Sequence, residues 1–274
     1  MSFLEIIGVI ALVYLVIALI ARHTQEYFLF HPEKLPLDFK YRFEYPFTEV
    51  YLDVDGATVN GLHFKVPNSR GVVYYFKGNT RSVKGWGKYA RDFLSKGYDL
   101  FMFDYRGFGK SSGRRSEELF YEDAQAGYDY LLRFYEEGEI VLYGRSIGSG
   151  FAANTAASNN PRMLILDSPY KSLYHIVRYY TPFLPVASIL RYQVRTDLYI
   201  PNVKCPIYII HGERDRLIPF RHSIDLSRRN DLVHLIKIKK AGHNNLPDHA
   251  DYHHILYEIL NGQYEELGLF DELY

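Results

Sequence analysis

The chain has 274 residues, with 32 Lys plus Arg balanced by 32 Asp plus Glu, one cysteine, 26 Tyr and 18 Phe. The charge balance leaves no global field to recruit nucleic acid or an anionic partner, and Cys205 has no second cysteine for a disulfide within the chain, which leans toward a reducing compartment. The length allows one large α/β domain with a sizeable core, and no internal repeat or low-complexity tract interrupts it.

Phe3 to Ala21 reads FLEIIGVIALVYLVIALIA, with one charge, Glu5, near its start. Its thirteen Leu, Ile, Val and Phe residues favour insertion by about −4 to −8 kcal/mol, against about +3 kcal/mol for the glutamate. A cleaved signal peptide needs a basic leader and a small-x-small exit, and Met1 to Glu5 holds no lysine or arginine. Residues 1–22 are therefore expected to form a retained transmembrane anchor. Arg22, Lys34, Lys40 and Arg42 all follow it. The positive-inside rule then faces the remaining chain to the cytoplasm.

Residues 23–46, with Pro32, Pro36 and Pro46, read as a connecting segment, and 47–274 as the catalytic domain. EVYLDVDG and TVNGLHFKV alternate polar and apolar around Asp55-Gly56, a hairpin signal at the antiparallel edge of a sheet. From Gly71 the pattern becomes β-α-β: GVVYYFKGN is a strand, GWGKYARDFLSKG a helix, YDLFMFDYRG a strand, and SEELFYEDAQAGYDYLLRFYEEG a long amphipathic helix. Further strands are expected at EIVLYGR, MLILDSPY, PIYIIHGERD and LVHLIKIKKAGH, with helices near Pro219–Asn230 and Pro247–Leu260. The sum is about eight strands in a mostly parallel sheet flanked by helices.

Gly144-Arg145-Ser146-Ile147-Gly148 stands between an apolar strand and a run of small residues that opens a helix. A serine on such a turn is lifted above the sheet, and glycines two before and two after leave room for the neighbouring backbone. A serine hydroxyl is a poor nucleophile near neutral pH and requires a histidine and an acid. Asp215 at the end of PIYIIHGERD and His243 in KKAGHNN supply both, in the order Ser, Asp, His. Asp167, after LIL, is a rival acid on the preceding strand end, and His211 is read as structural. The amide of Ile147 and the Asn79 amide, from the loop after the third strand, are the expected oxyanion donors.

Two other patterns carry less. GKS at Gly109–Ser111 hints at a phosphate-binding loop, but Asp104 stands where that loop requires a glycine, so Asp104 and Arg106 are read as making local polar contacts. His249 and His253 have the i, i+4 spacing of a metal pair without a motif that supplies a third ligand. No metal and no cofactor is expected.

YYFKGN, FDYRGFGKSSG, VLYGRSIGSG, LILDSPY, IYIIHGERDRLIP and GHNNL, spread over roughly residues 70 to 246, together resemble the membrane-anchored serine hydrolases of the α/β-hydrolase superfamily, among them serine aminopeptidase-like and lysophospholipase-like members. The resemblance implies the α/β-hydrolase fold, triad roles for Ser146, Asp215 and His243, oxyanion roles for Asn79 and Ile147, and a short helical cap at about 170–201. Relatives usually carry His-Gly where this chain has Lys77-Gly78, so the hydrogen bonding behind the oxyanion loop is expected to differ. The cap sequence YHIVRYYTPFLPVASILRY, with Arg178, Arg191 and Arg195 interspersed, suits an acyl-chain pocket, the bilayer surface or ordinary packing over the sheet. The expectation is a membrane-tethered hydrolase of carboxylic esters or thioesters, acting on a small-molecule or lipid-like acyl substrate. The alternatives are a peptidase-like amide hydrolase of the same fold and an idle membrane scaffold. Oligomeric state is not legible.

Overall fold

A computed structural model describes residues 1–264; the last ten positions of the expected catalytic domain lie outside the described residues. Helix α1 runs from Phe3 to Leu29 and starts on a capping box in which Ser2 and Glu5 bond each other's backbone amides. Apart from Ala18, its side chains from Phe3 to Ile20 are exposed, and it is long and apolar enough to cross a membrane. The helix continues past the apolar run by burying polar residues against partners: Gln25 is buried, and Glu26 pairs with Arg115 and Arg191. Phe30, next in the chain, is a core residue packed edge-on against Phe108, Phe120 and Tyr192.

The hairpin β1 (Phe47–Val54) and β2 (Ala57–Phe64) leads into β3 (Val72–Phe76), β4 (Asp99–Phe103), β5 (Ile140–Arg145), β6 (Met163–Asp167), β7 (Ile207–Gly212) and β8 (Val233–Ile238). All eight form one sheet in the order β1-β2-β4-β3-β5-β6-β7-β8, parallel from β4 through β8 and antiparallel at the β1-β2 edge. Alternate residues of the central strands serve opposite faces. Tyr74, Leu142 and Leu164 pack with Tyr128 of α4 (Glu117–Leu131) and Phe151 of α5 (Gly148–Ser158). Tyr75, Tyr143 and Ile165 pack on the other face with Phe93, and with Tyr252 and Leu256 of the C-terminal helix at Ala250–Asn261. Both faces are covered, which is why these strands read as continuous apolar runs.

The helix expected after β3 is broken into α2 (Val83–Trp86), a 3-10 turn at Gly87–Ala90 and α3 (Arg91–Leu94). Gly87 lies so close to the Phe43 ring that a Cβ there would sit 2.4 Å from it, so contact with the connecting segment overrides the helical period. Between β6 and β7 the cap carries α6 (Leu173–Tyr180), α7 (Val186–Ile189) and α8 (Thr196–Tyr199).

Crowding beneath the turn after β5 is severe. A Cβ on Gly148 would lie 2.2 Å from the carbonyl oxygen of Phe76, and one on Gly144 2.6 Å from that of Gly148. Gly148→Ala must therefore push α5 off β3, and a loss of about 1–3 kcal/mol is expected from such overpacking. A thermal melt of the purified variant checks this, and an unchanged midpoint would contradict the close approach.

Candidate active site

Ser146 occupies the turn between β5 and α5 with φ of 53°, a left-handed conformation that a non-glycine residue holds only when its surroundings impose it. Its amide donates to the carbonyl of Asp167 at 2.9 Å, which ties the turn to β6. The first amides of α5 lie immediately behind the hydroxyl, so the positive end of that helix serves the same point. Two loops from the same edge of the sheet complete the cluster. Asp215 follows β7 and His243 follows β8, and the imidazole bridges the other two: Nδ1 is 2.7 Å from Asp215 Oδ2, and Nε2 is 3.1 Å from Ser146 Oγ.

The carboxylate is held from four directions. Oδ1 accepts the amides of Leu217 and Ile218 at 2.9 and 2.8 Å, while Oδ2 meets His243 and, at 3.2 Å, Nε2 of His211. His211 is fully buried, with Nδ1 2.6 Å from Ser223 Oγ and Nε2 2.9 Å from the Ile218 carbonyl. The Ser223 hydroxyl donating to Nδ1, and an Nε2 proton shared between the carbonyl and Asp215, satisfy every atom. His211 thus fixes the acid as well as filling the core, a role that its place inside the strand run does not announce. Burial alone pushes the Asp215 carboxyl up, but the hydrogen bonds from His211 and His243 outweigh it and hold it well below the usual carboxylate range.

Asp167 has other partners. It accepts from the Tyr143 hydroxyl at 2.8 Å and Ser168 Oγ at 2.9 Å, and pairs with Arg145 Nε at 3.3 Å. Arg145 in turn donates to the His243 carbonyl at 3.3 Å and stacks over Trp86 and Tyr89. The residue before the serine therefore braces the histidine loop, which the five-residue motif leaves unspecified.

The loop after β3, which carries the expected oxyanion donor Asn79, is fixed by contacts that begin in α1. Asn79 Nδ2 donates to the Leu29 carbonyl at 2.8 Å, the His31 amide donates to the Asn79 carbonyl at 2.9 Å, and His31 bridges Thr80 in parallel. Among the described residues, neither the Ile147 nor the Asn79 amide donates a hydrogen bond to the protein. Lys77 lies fully buried beneath this loop, 3.4 Å from Asp104 and 4.0 and 4.7 Å from the ring centroids of Phe108 and Tyr105. Burial pushes the Lys77 ammonium down to about 8 and the Asp104 carboxyl up to about 6, each opposed by the charge of the other. Asp104 also accepts the Val83 amide at 2.9 Å, and Arg106 forms a two-pronged pair with Asp123 of α4 at 2.8 Å. The stretch that looked like part of a phosphate loop is thus a set of structural ion pairs. His253 lies 2.6 Å through Nε2 from the Pro247 carbonyl and 4.0 Å through Nδ1 from Asp92, and among the described residues no group of three or more His, Cys, Asp or Glu side chains is placed to hold a metal.

A family model described as "Serine aminopeptidase, S33" matches residues 67–202, close to half the chain. The α/β hydrolase domain-containing protein aho-3 of Caenorhabditis elegans is 29% identical over 195 residues, covering 68% of this chain and 56% of that protein. Lysophosphatidylserine lipase ABHD12 of Danio rerio is 29% identical over 174 residues, covering 56% of this chain and 46% of its own length. The chain therefore spans about half the length of the curated relatives it matches. Among solved structures, an esterase of Pyrococcus furiosus superimposes with a TM-score of 0.67 at 20% identity, covering 86% of this chain and 98% of that one. Est1E of Butyrivibrio proteoclasticus does so with a TM-score of 0.65 at 17% identity, covering 78% and 98%. Sheet order, parallel crossovers and these likenesses agree: the chain has the α/β-hydrolase fold and is similar in sequence to α/β hydrolase domain-containing proteins.

Proposed function

We propose that the protein is a membrane-anchored serine hydrolase that cleaves carboxylic esters or thioesters through an acyl-enzyme. The observation that carries this reading is the unbroken contact from Ser146 through His243 to Asp215, at 3.1 and 2.7 Å. Ser146 Oγ attacks the acyl carbon while His243 Nε2 takes its proton. Asp215, accepting from Nδ1, holds the ring in the tautomer that leaves Nε2 free and stabilises the imidazolium that forms. The amides of Ile147 and Asn79 receive the oxyanion. Collapse of the tetrahedral adduct expels the alcohol or thiol, protonated by His243, and a water molecule repeats the sequence to release the acid. The exposed apolar length of α1 supports a single membrane span, and the basic residues after it support a catalytic domain on the cytoplasmic side.

A fluorophosphonate probe tests the reading, since it reacts only with an activated serine. Labelling of the detergent-solubilised full chain is expected, with loss in Ser146→Ala. Because Asp215 is held low, it stays ionised and should add no ionisation of its own to the labelling rate between about pH 5 and 9. Labelling that survives in Ser146→Ala, or its absence from folded wild type, would sink the proposal.

A further inference from the structure

The last turns of α1 and the cap enclose a cleft of about 420 Å³, within the usual size range of small-molecule sites. Ile17, Ile20 and Ala21 line one side, and Val177, Leu184 and Ile189 the other. Every polar side chain in its walls is already spent on backbone. Thr24 Oγ1 donates to the Ile20 carbonyl at 2.9 Å and Thr181 Oγ1 to that of Val177 at 2.7 Å. Gln25 donates to the Ile189 carbonyl at 3.0 Å and accepts the Arg191 amide at 2.8 Å. The cleft therefore presents nothing for a headgroup, a peptide backbone or a sugar to bond, and only hydrocarbon gains by entering it.

Two further observations decide which hydrocarbon. One wall belongs to the apolar run of α1, which ends at Ala21 with Arg22 next, so in a membrane the cleft opens at the edge of the lipid tails. The two elements that form its walls are each hydrogen-bonded to a loop of the candidate active site. Leu29, a wall residue, accepts from Asn79 of the oxyanion loop, and Tyr180, on the same helix as Val177, donates to the carbonyls of Arg216 and Leu217 beside Asp215. We infer that this cleft takes the acyl chain of a membrane lipid ester, which slides in from the bilayer between α1 and the cap and brings its carbonyl toward Ser146. The anchor is then one wall of the substrate site. This inference rests on the hydrolase reading for its chemistry, while the cleft itself is open to a direct binding test.

Two measurements on the full chain in mixed micelles separate the possibilities. The first is the ratio of kcat/KM for 4-nitrophenyl dodecanoate to that for the acetate. Wild type is expected to favour the longer chain, and Ala21→Trp and Leu184→Trp, which fill the cleft from opposite walls, to lower the ratio about tenfold or more. A ratio unchanged in both variants, or a wild type that prefers acetate, overturns the inference and leaves the hydrolase reading standing. The second uses Ser146→Ala and a lysophosphatidylcholine carrying a diazirine at its chain end. Crosslinks on the cap between residues 177 and 190, lost in Ala21→Trp, support the cleft even if wild type cleaves neither ester. Crosslinks confined to α1, which any span in lipid would give, refute it.

Discussion

Alanine at Ser146 or at His243 is expected to lower kcat by about a millionfold, because in the proposed mechanism nucleophile and base act as one unit and neither retains partial value without the other. Asp215→Asn should cost about ten-thousandfold, since an amide facing Nδ1 favours the wrong ring tautomer while leaving the fold intact. Asp167→Asn is the informative contrast. Its carboxylate pairs with Arg145 and Tyr143, away from the imidazole, so the loss should stay within about tenfold, the scale of a supporting contact. Steady-state hydrolysis of a soluble ester by the four purified variants decides the matter. Equal losses for the two aspartates would overturn the assignment of the acid.

Lys77→Met is expected to destabilise the protein by about 3–5 kcal/mol, because it strands the buried Asp104 carboxylate without its counter-charge. The sign of the pH dependence follows from burial. Asp104 already titrates at about 6, above its unfolded value, so its contribution is present in acid and is lost as pH rises through that range. Without Lys77 the same direction is steeper. The variant should lie nearest wild type at about pH 4 and furthest from it at about pH 8. Lys77→Met/Asp104→Asn, which removes both charges and leaves no buried charge unpaired, should regain most of the loss. Thermal melts of the three proteins at both pH values measure this. A single variant as stable as wild type at high pH would show that the pair does not hold the loop.

What the sequence made legible follows from what each element is built on. Central strands such as VVYYF and VLYGR are covered on both faces, and so show as unbroken apolar runs; Asp55-Gly56 marks the hairpin because only that turn chemistry fits. The serine turn is readable for the same reason, since its two flanking glycines answer local crowding. Contacts between distant segments leave no such trace. Asp167 ends β6 and Asp215 follows β7 at the same edge of one sheet, and the choice between them depends on where the loop after β8 folds over, which no local pattern encodes. The break between α2 and α3 comes from Phe43, and the extension of α1 through Thr24-Gln25-Glu26 comes from partners in the cap and at Arg115. Hydropathy scores those residues as solvent-seeking, while the fold uses them as clamps.

A helix whose final turns are clamped by Gln25 and Glu26, and whose next residue, Phe30, is a plug in the domain's interior, has no hinge beneath it. The globular part cannot swivel on its mast like a buoy on a chain. With α1 in a bilayer, as proposed, it would stand at one height and one tilt over the lipid, so that its mouth would always meet the bilayer from the same side.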